Sequence, residues 1–144
     1  MVDAGVRLGK VLTGDHLGGF MRGNFEWSAD LMPVYYIWQP VPAKNAYGEA
    51  FNPVNLKWNF TRALRVAPFL ELGGGVLFTN HAVPAGTSHL NFLPHGTFGL
   101  QFFNDQRRAL TASVRFEHIS NAGLTVPNPG INSVQFSMGM NWFK

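Results

Sequence analysis

The chain has 144 residues, which fits a single domain, and its formal net charge is +3. Hydrophobic residues make up 46% of it and charged residues only 13%, whereas an ordinary soluble domain has about 25% charged residues. The absence of cysteine excludes disulfides and thiolate metal sites. The longest apolar run, residues 31–38, is too short for a transmembrane helix, which needs roughly 20 apolar residues. The apolar residues must therefore be distributed over β-strands.

Seven segments alternate apolar and polar residues with the period of two that is typical of a strand with one apolar face. In chain order they are residues 2–9, 21–38, 54–60, 66–78, 90–102, 110–120 and 132–143. The second segment has no internal turn signal, so Pro33 is expected to mark a bulge or kink within one strand. The pattern predicts one all-β domain over residues 1–144, an antiparallel up-and-down barrel.

The connections between these segments are of two kinds, which alternate along the chain. Residues 61–65 and 104–108 are short turns, whereas residues 39–53, 80–89 and 121–131 are longer and rich in proline, glycine and asparagine. Transmembrane barrels have short periplasmic turns and longer outer loops. The long connections are therefore expected at the outer end of the barrel.

The polar face of the predicted strands carries charged side chains that could pair with one another. They are Arg7, Arg22, Glu26, Asp30, Lys57, Glu71, Arg115 and Glu117. A soluble barrel of the lipocalin type would turn its apolar face inward, and this is the structural alternative. Charges inside and apolar residues outside are the arrangement of a transmembrane barrel, whose sheet is closed because lipid cannot satisfy a free strand edge. Interior charges also explain the basic balance better than nucleic-acid binding does.

Bacterial single-chain barrels have an even number of strands, at least about eight. The seven segments therefore predict a further strand before Met1. Strand-like sequence follows Met1 directly, without the features of a signal peptide, which indicates a mature segment or a fragment.

Polar side chains end the apolar face of the penultimate strand. Alternate residues of a strand share a face, so His118 and Ser120 continue the apolar row that begins at Leu110. On the last strand, Asn132 begins the apolar row, so these three polar residues are expected to meet at one outer, lipid-facing corner. A histidine that takes the proton of a serine hydroxyl, with a third group orienting its ring, is a hydrolase arrangement. The alternative is that these side chains only bond to headgroups or loop backbone.

At these residues the sequence resembles a known family. The runs 118–124, HISNAGL, and 127–132, PNPGIN, are similar to the signature of outer-membrane lipid A 3-O-deacylases of the PagL type. Weaker similarity covers nearly the whole chain, at residues 22–26, 59–60, 73–75 and 107–111. The closing residues 142–144, Trp-Phe-Lys, resemble the C-terminal aromatic signal of outer-membrane barrels.

The resemblance implies an eight-stranded bacterial outer-membrane barrel that removes the ester-linked 3-position acyl chain of lipid A, with no metal and no cofactor. It assigns the histidine of the family to His118 and the serine nucleophile to Ser120. It also implies an oxyanion hole made by the side chains of Asn121 and Asn128 and the backbone amide of Gly123. The expected partners are lipopolysaccharide and outer-membrane lipids, not nucleic acid, and a homodimer is left open.

The chain departs from the family at the third catalytic position, where Asn132 stands in place of a glutamate. Among substitute acids, Glu117 is adjacent to His118 but faces the interior, and Glu49, in the predicted loop 39–53, is at the correct end but is not placed nearby. The remaining acids face the interior or lie in turns at the opposite end: Asp3, Asp15, Glu26, Asp30, Glu71 and Asp105.

An asparagine can orient the imidazole but cannot stabilise the imidazolium by charge. Replacing the aspartate of a serine-protease triad by asparagine lowers the rate by about 10⁴. Three hypotheses therefore follow from the sequence: a weakened ester hydrolase, a non-catalytic structural or binding barrel that has lost its acid, and a soluble ligand-binding barrel.

Overall fold

The structure is a computed structural model, and it describes residues 1–62, 65–105 and 107–143. Its strands are β1 (Val2–Val11), β2 (Gly23–Ile37), β3 (Ala46–Phe60), β4 (Val66–Thr79), β5 (Leu90–Phe92), β6 (His95–Phe103), β7 (Arg108–Ile119) and β8 (Ile131–Trp142). A single 3₁₀ turn, Gly19–Met21, precedes β2. Within the described ranges, no helix is long and apolar enough to cross a membrane.

The strands form one antiparallel sheet in the order β1-β2-β3-β4-β6-β7-β8, as an up-and-down arrangement requires. The sheet curls, because inward side chains of distant strands meet: Arg7 on β1 contacts Glu71 on β4, and Tyr35 on β2 contacts Glu117 on β7. In the described residues, no ladder joins β1 to β8, so these two strands form the edges of the curled sheet. The all-β antiparallel prediction is confirmed.

The segment predicted as one strand over residues 90–102 consists of β5 and β6. Both pair with β4 in the same register, since Phe92 lies opposite Val76 and His95 lies opposite Gly73. The interruption falls at Pro94, which has no N–H to donate to a ladder. The course of the predicted strand is therefore correct, although it is divided into two hydrogen-bonded segments.

Away from its outer end, the interior of the curled sheet is mainly polar and charged, and its exterior is apolar, as predicted. Arg7 forms salt bridges of 2.6 Å with both Asp30 and Glu71. Lys57 lies 2.8 Å from Glu26. This pairing matters because an unpaired buried charge costs several kcal/mol. The outer wall exposes large apolar side chains, among them Leu72, Phe98, Phe116, Val134, Phe136 and Met138. A soluble barrel with an apolar interior is thus excluded.

The outer end, defined by the loops 38–45, 80–89 and 121–130, has an apolar core inside the sheet. Its buried members are Met32, Tyr35, Ile37, Ala46, Ala50, Leu77, Val83, Leu93 and Ile119. Val83 comes from the loop 80–89 and is fully buried among strand residues. This core supports the ends of β7 and β8 from within, and it gives the outward residues of those strands a rigid base.

The predicted irregularity at Pro33 is confirmed. The register between β2 and β3 shifts between Met32 and Tyr35, so Pro33 and Val34 both face outward. Residues 21–38 are therefore one strand with a bulge rather than two strands.

The predicted loop 39–53 is too long, because β3 already begins at Ala46. Its inward residues there are small or polar, which concealed the alternation: a side chain at Gly48 would collide with the carbonyl of Phe78. Glu49 is consequently not a loop residue. It faces outward on β3, three ladders away from β7.

The two predicted short turns, 61–65 and 104–108, include residues 63, 64 and 106, which lie outside the described residues. The same holds for residue 144 of the C-terminal aromatic signal.

Candidate functional site

His118 and Asn132 lie directly opposite each other on β7 and β8. The Nδ1 atom of His118 is 2.6 Å from Oδ1 of Asn132. An amide oxygen only accepts, so Nδ1–H donates and the neutral ring keeps its lone pair on Nε2. The predicted proximity of these two residues on the outer face is confirmed.

Ser120 follows β7 and is held through its backbone by β5. Its N–H donates to the carbonyl of Phe92 at 3.2 Å, and its carbonyl accepts from the N–H of Phe92 at 2.7 Å. Within the part of the chain that the structure describes, no hydrogen bond joins its hydroxyl to His118. The structure thus places Ser120 two residues beyond His118, just past the end of β7, with no hydrogen bond to its hydroxyl among the described residues. Ser120 is only 8% exposed, whereas the alternation predicted a position open to lipid on the outer row.

The loop 121–130 is organised around the side chain of Asn121. Its Oδ1 accepts from the N–H of Gly123 at 2.8 Å, and its Nδ2 donates to Oγ1 of Thr125 at 2.7 Å and to the carbonyl of Pro127 at 3.3 Å. Asn128 closes the loop, because its Oδ1 accepts from the N–H of Asn121 at 3.1 Å. The three predicted oxyanion-hole donors therefore belong to one loop beside Ser120 that internal hydrogen bonds hold together. The amide of Asn121 and the backbone N–H of Gly123 donate to groups of this same loop.

Gly130 is a feature of the site that the sequence reasoning did not identify. Its φ is +64°, a left-handed conformation that favours glycine. A Cβ added here would lie 2.7 Å from Cε1 and 3.1 Å from Nε2 of His118. The backbone of Gly130 thus lies close beside the imidazole edge that carries the free nitrogen. In the sequence, the Pro-Gly signal indicated only a turn.

An open groove of about 640 Å³ runs along the outer wall below His118. Its walls are the exposed apolar side chains of Leu72, Phe116 and Val134, and its floor includes Gly96. A Cβ on Gly96 would meet only a methyl group of Leu72 at 3.5 Å. The absence of a side chain at Gly96 therefore leaves the floor of the groove open.

Three of the acids considered as substitutes for the third catalytic group, Glu117, Asp15 and Asp105, are bonded elsewhere. Glu117 accepts hydrogen bonds from Tyr35 and, at 2.7 Å, from Gln135 inside the barrel. Asp15 pairs with Arg22 at 2.9 Å, and Asp105 accepts from a backbone N–H of its own turn. Asn132 is therefore the partner of His118 in the described structure.

In the described residues, no group of three or more histidine, aspartate or glutamate side chains could hold a metal ion.

Two of the comparisons with known proteins found a match. A family model described as "Lipid A 3-O-deacylase (PagL)" matches residues 14–141. Among solved structures, the crystal structure of the outer membrane enzyme PagL is similar with a TM-score of 0.62 and 22% sequence identity, over 95% of this chain and 87% of that chain. No curated protein matches the sequence. At this identity the structural likeness concerns the fold, and the family model adds the sequence relationship.

Proposed function

This chain belongs to the lipid A 3-O-deacylase (PagL) family of outer-membrane barrels, and we propose that it hydrolyses the 3-O-linked acyl ester of lipid A with Ser120 as the nucleophile. The observation that carries the proposal is the bond between His118 and Asn132 on the outer wall. This bond leaves Nε2 of His118 as an acceptor at the end of the strand that leads to Ser120. Because the outer wall faces lipid, an ester of a membrane lipid would reach this nitrogen by lateral diffusion.

In the proposed reaction, Nε2 of His118 takes the proton of the Ser120 hydroxyl while Oγ attacks the ester carbonyl. The tetrahedral intermediate collapses to the acyl-enzyme on Ser120 as the bond to the 3-oxygen of the sugar breaks, and the imidazolium gives its proton to that oxygen, which leaves as the 3-hydroxyl group. Water then attacks the acyl-enzyme with His118 as the base, which releases the fatty acid and restores Ser120. Catalytic hydrogen bonds often form only with substrate bound, which is consistent with an unbonded Ser120 hydroxyl in the free protein.

The oxyanion of the intermediate needs hydrogen-bond donors near Ser120. The side-chain Nδ2 of Asn128 suits this role, because Asn128 uses its Oδ1, not its amide hydrogens, to hold the N–H of Asn121. Asn121 and Gly123 hold the loop shape in the free protein and would serve as donors after a local rearrangement.

Asn132 acts in this proposal as a positioning residue for His118. Its oxygen fixes the Nδ1–H tautomer, but it brings no negative charge to the imidazolium that forms during proton transfer. We therefore expect a lower rate than that of a triad with an acid. The factor is about 10⁴ if the serine-protease case applies.

The groove below His118 would hold the acyl chain that is cleaved. It is apolar and opens towards the membrane, so a chain could enter without leaving its hydrocarbon environment. No cofactor is needed for this chemistry.

The test is mass spectrometry of lipid A after incubation with the purified protein in detergent micelles. The expected product lacks one 3-O-linked acyl chain, and Ser120→Ala should abolish its formation. Ser137→Ala removes a hydroxyl in the middle of β8 and should retain activity, which controls for the loss of a serine as such. If the wild-type protein releases no fatty acid, or Ser120→Ala releases as much, the proposal is wrong.

A second function is favoured by one observation, the neutral Asn132 in place of an acid. In that case the barrel binds outer-membrane lipid or serves a structural role without turnover. The same assay distinguishes the two functions, because only the hydrolase removes an acyl chain from lipid A.

A further inference from the structure

A second cavity, of about 390 Å³, lies at the outer end of the barrel between three loops. Trp38 and Pro40 contribute to it from the loop 38–45, Pro84 from the loop 80–89, and Pro129 and Gly130 from the loop 121–130. Its size lies within the range of small-molecule sites, roughly 300–1,000 Å³. This loop cavity is separate from the groove on the membrane-facing wall.

Hydrogen bonds hold the walls of the loop cavity in place. The side chain of Gln39 donates to the carbonyl of Lys44 at 2.8 Å and to that of Ala82 at 3.1 Å, which ties two of the three loops together. The N–H of Ala43 donates to the carbonyl of Pro40 at 3.0 Å. The cavity is thus formed before any ligand arrives, which lowers the entropic cost of binding.

The lining of the loop cavity fits the apolar face of a sugar ring. Trp38 is 59% exposed, and Tyr36 holds its indole edge to face at a centroid distance of 5.0 Å. The other described lining residues are mostly proline and alanine, and none of them is charged. A pyranose ring presents several C–H groups on one face, and these pack well on an indole and on proline rings.

Gly130 connects the loop cavity to the candidate catalytic site. It lines the cavity, and its backbone lies against the imidazole of His118. A Cβ added to Gly130 would lie 2.7 Å from Cε1 of that ring. His118 therefore lies between the loop cavity above and the acyl groove below. In a 3-O-acylated glucosamine, the ester likewise lies between a sugar ring and a hydrocarbon chain.

We propose that the loop cavity binds the glucosamine ring that carries the scissile ester, with Trp38 as the stacking residue. The proposal rests on the proposed function, since it assigns the two cavities to the two sides of one ester. The loop cavity would then distinguish lipid A from other membrane lipids by the sugar of lipid A rather than by its acyl chains.

The test is equilibrium binding in detergent micelles, with Ser120→Ala as the parent protein so that no turnover occurs. Two probes are compared: lipid A, and phosphatidylglycerol with acyl chains of the same length. Trp38→Ala removes one stacking contact and should weaken lipid A binding roughly three- to tenfold. Phosphatidylglycerol binding should be unchanged, and Trp38→Phe should retain most of the lipid A affinity.

The matched control is Trp142→Ala, which removes another exposed tryptophan, 69% exposed, at the opposite end of the barrel. It should change binding of neither lipid. Heat-modifiable gel mobility checks that each variant is folded.

Equal weakening of both lipids by Trp38→Ala would show that the indole only anchors the barrel in the membrane interface, and would overturn the proposal. No effect on lipid A would overturn it as well. Trp38→Ala could weaken lipid A binding selectively even though the wild-type protein, which keeps Ser120, does not cleave lipid A. That result would refute the proposed hydrolysis and still support the sugar subsite.

Discussion

Nδ1 of His118 and Oδ1 of Asn132 lie 2.6 Å apart at directly opposed positions of β7 and β8. The imidazole is thus oriented by an amide, on a wall of the barrel where apolar side chains surround it. An amide fixes the tautomer of the ring as well as a carboxylate does. It differs in charge, and charge matters most when the ring becomes cationic during proton transfer.

The first prediction is that Asn132→Glu raises the rate of lipid A deacylation. A carboxylate at this position would stabilise the imidazolium, and the gain could reach about 10⁴ in kcat. The rate is measured as fatty acid released per unit time at saturating lipid A.

Asn132→Gln is the control for this change, because glutamine has the length of glutamate without its charge. It should not exceed the native rate. A glutamate variant no faster than the glutamine variant would mean that charge at this position does not limit the reaction.

The alternation of residue types predicted many of the side chains that face lipid, since a period of two follows from strand geometry alone. It failed at Ser120, which lies past the end of β7 and is only 8% exposed. It placed His118 and Asn132 on the outer face, and Pro33 marked a real bulge. The catalytic roles of these residues stay a prediction, because geometry in a free protein does not report turnover.

Other features depend on contacts between residues distant in the sequence, and no local pattern shows them. The sequence did not predict the start of β3, because Gly48 and its neighbours pack closely on β4. This packing requires small or polar inward side chains, which are also common in loops. The bonds that Asn121 makes across its loop, and the contact of Gly130 with His118, arise only when the loop 121–130 folds back on β7.

The second prediction concerns Gly130→Ala. The added methyl group would meet the His118 ring at 2.7 Å and force it away from Asn132, and the φ of +64° would be strained as well. Gly130 also lines the loop cavity, but the added methyl group would lie against the His118 ring. We therefore expect the main effect on the positioning of the base, with kcat falling at least about tenfold and KM changing less.

Gly86→Ala separates strain from the steric contact. Gly86 also has a positive φ, +79°, but a Cβ there meets nothing within 4 Å. It should cost about 1 kcal/mol of stability and leave kcat unchanged. Equal losses of activity in both variants would show that Gly130 acts on the fold rather than on His118.

The third prediction is that Asn128→Asp lowers kcat by about 10²–10³, the usual effect of removing one oxyanion donor. The aspartate keeps an oxygen that can accept from the N–H of Asn121, which Oδ1 of Asn128 does at 3.1 Å, so the loop should remain folded. It removes the Nδ2 donor and places a negative charge near the developing oxyanion. Activity is measured as before, and a nearly native rate would exclude Asn128 as a donor.

The fourth prediction concerns the groove below His118 and the variant Gly96→Leu. The position has room for a side chain, since a Cβ would lie 3.5 Å from Leu72, and a leucine would fill part of the floor. The kcat/KM for lipid A with long 3-O-acyl chains should fall about tenfold relative to lipid A with short ones. The control is Ala112→Leu. It enlarges an outward residue on β7 that does not line the groove, and it should leave this ratio unchanged. If Gly96→Leu lowers the rates for both chain lengths equally, the groove does not hold the acyl chain that is cleaved.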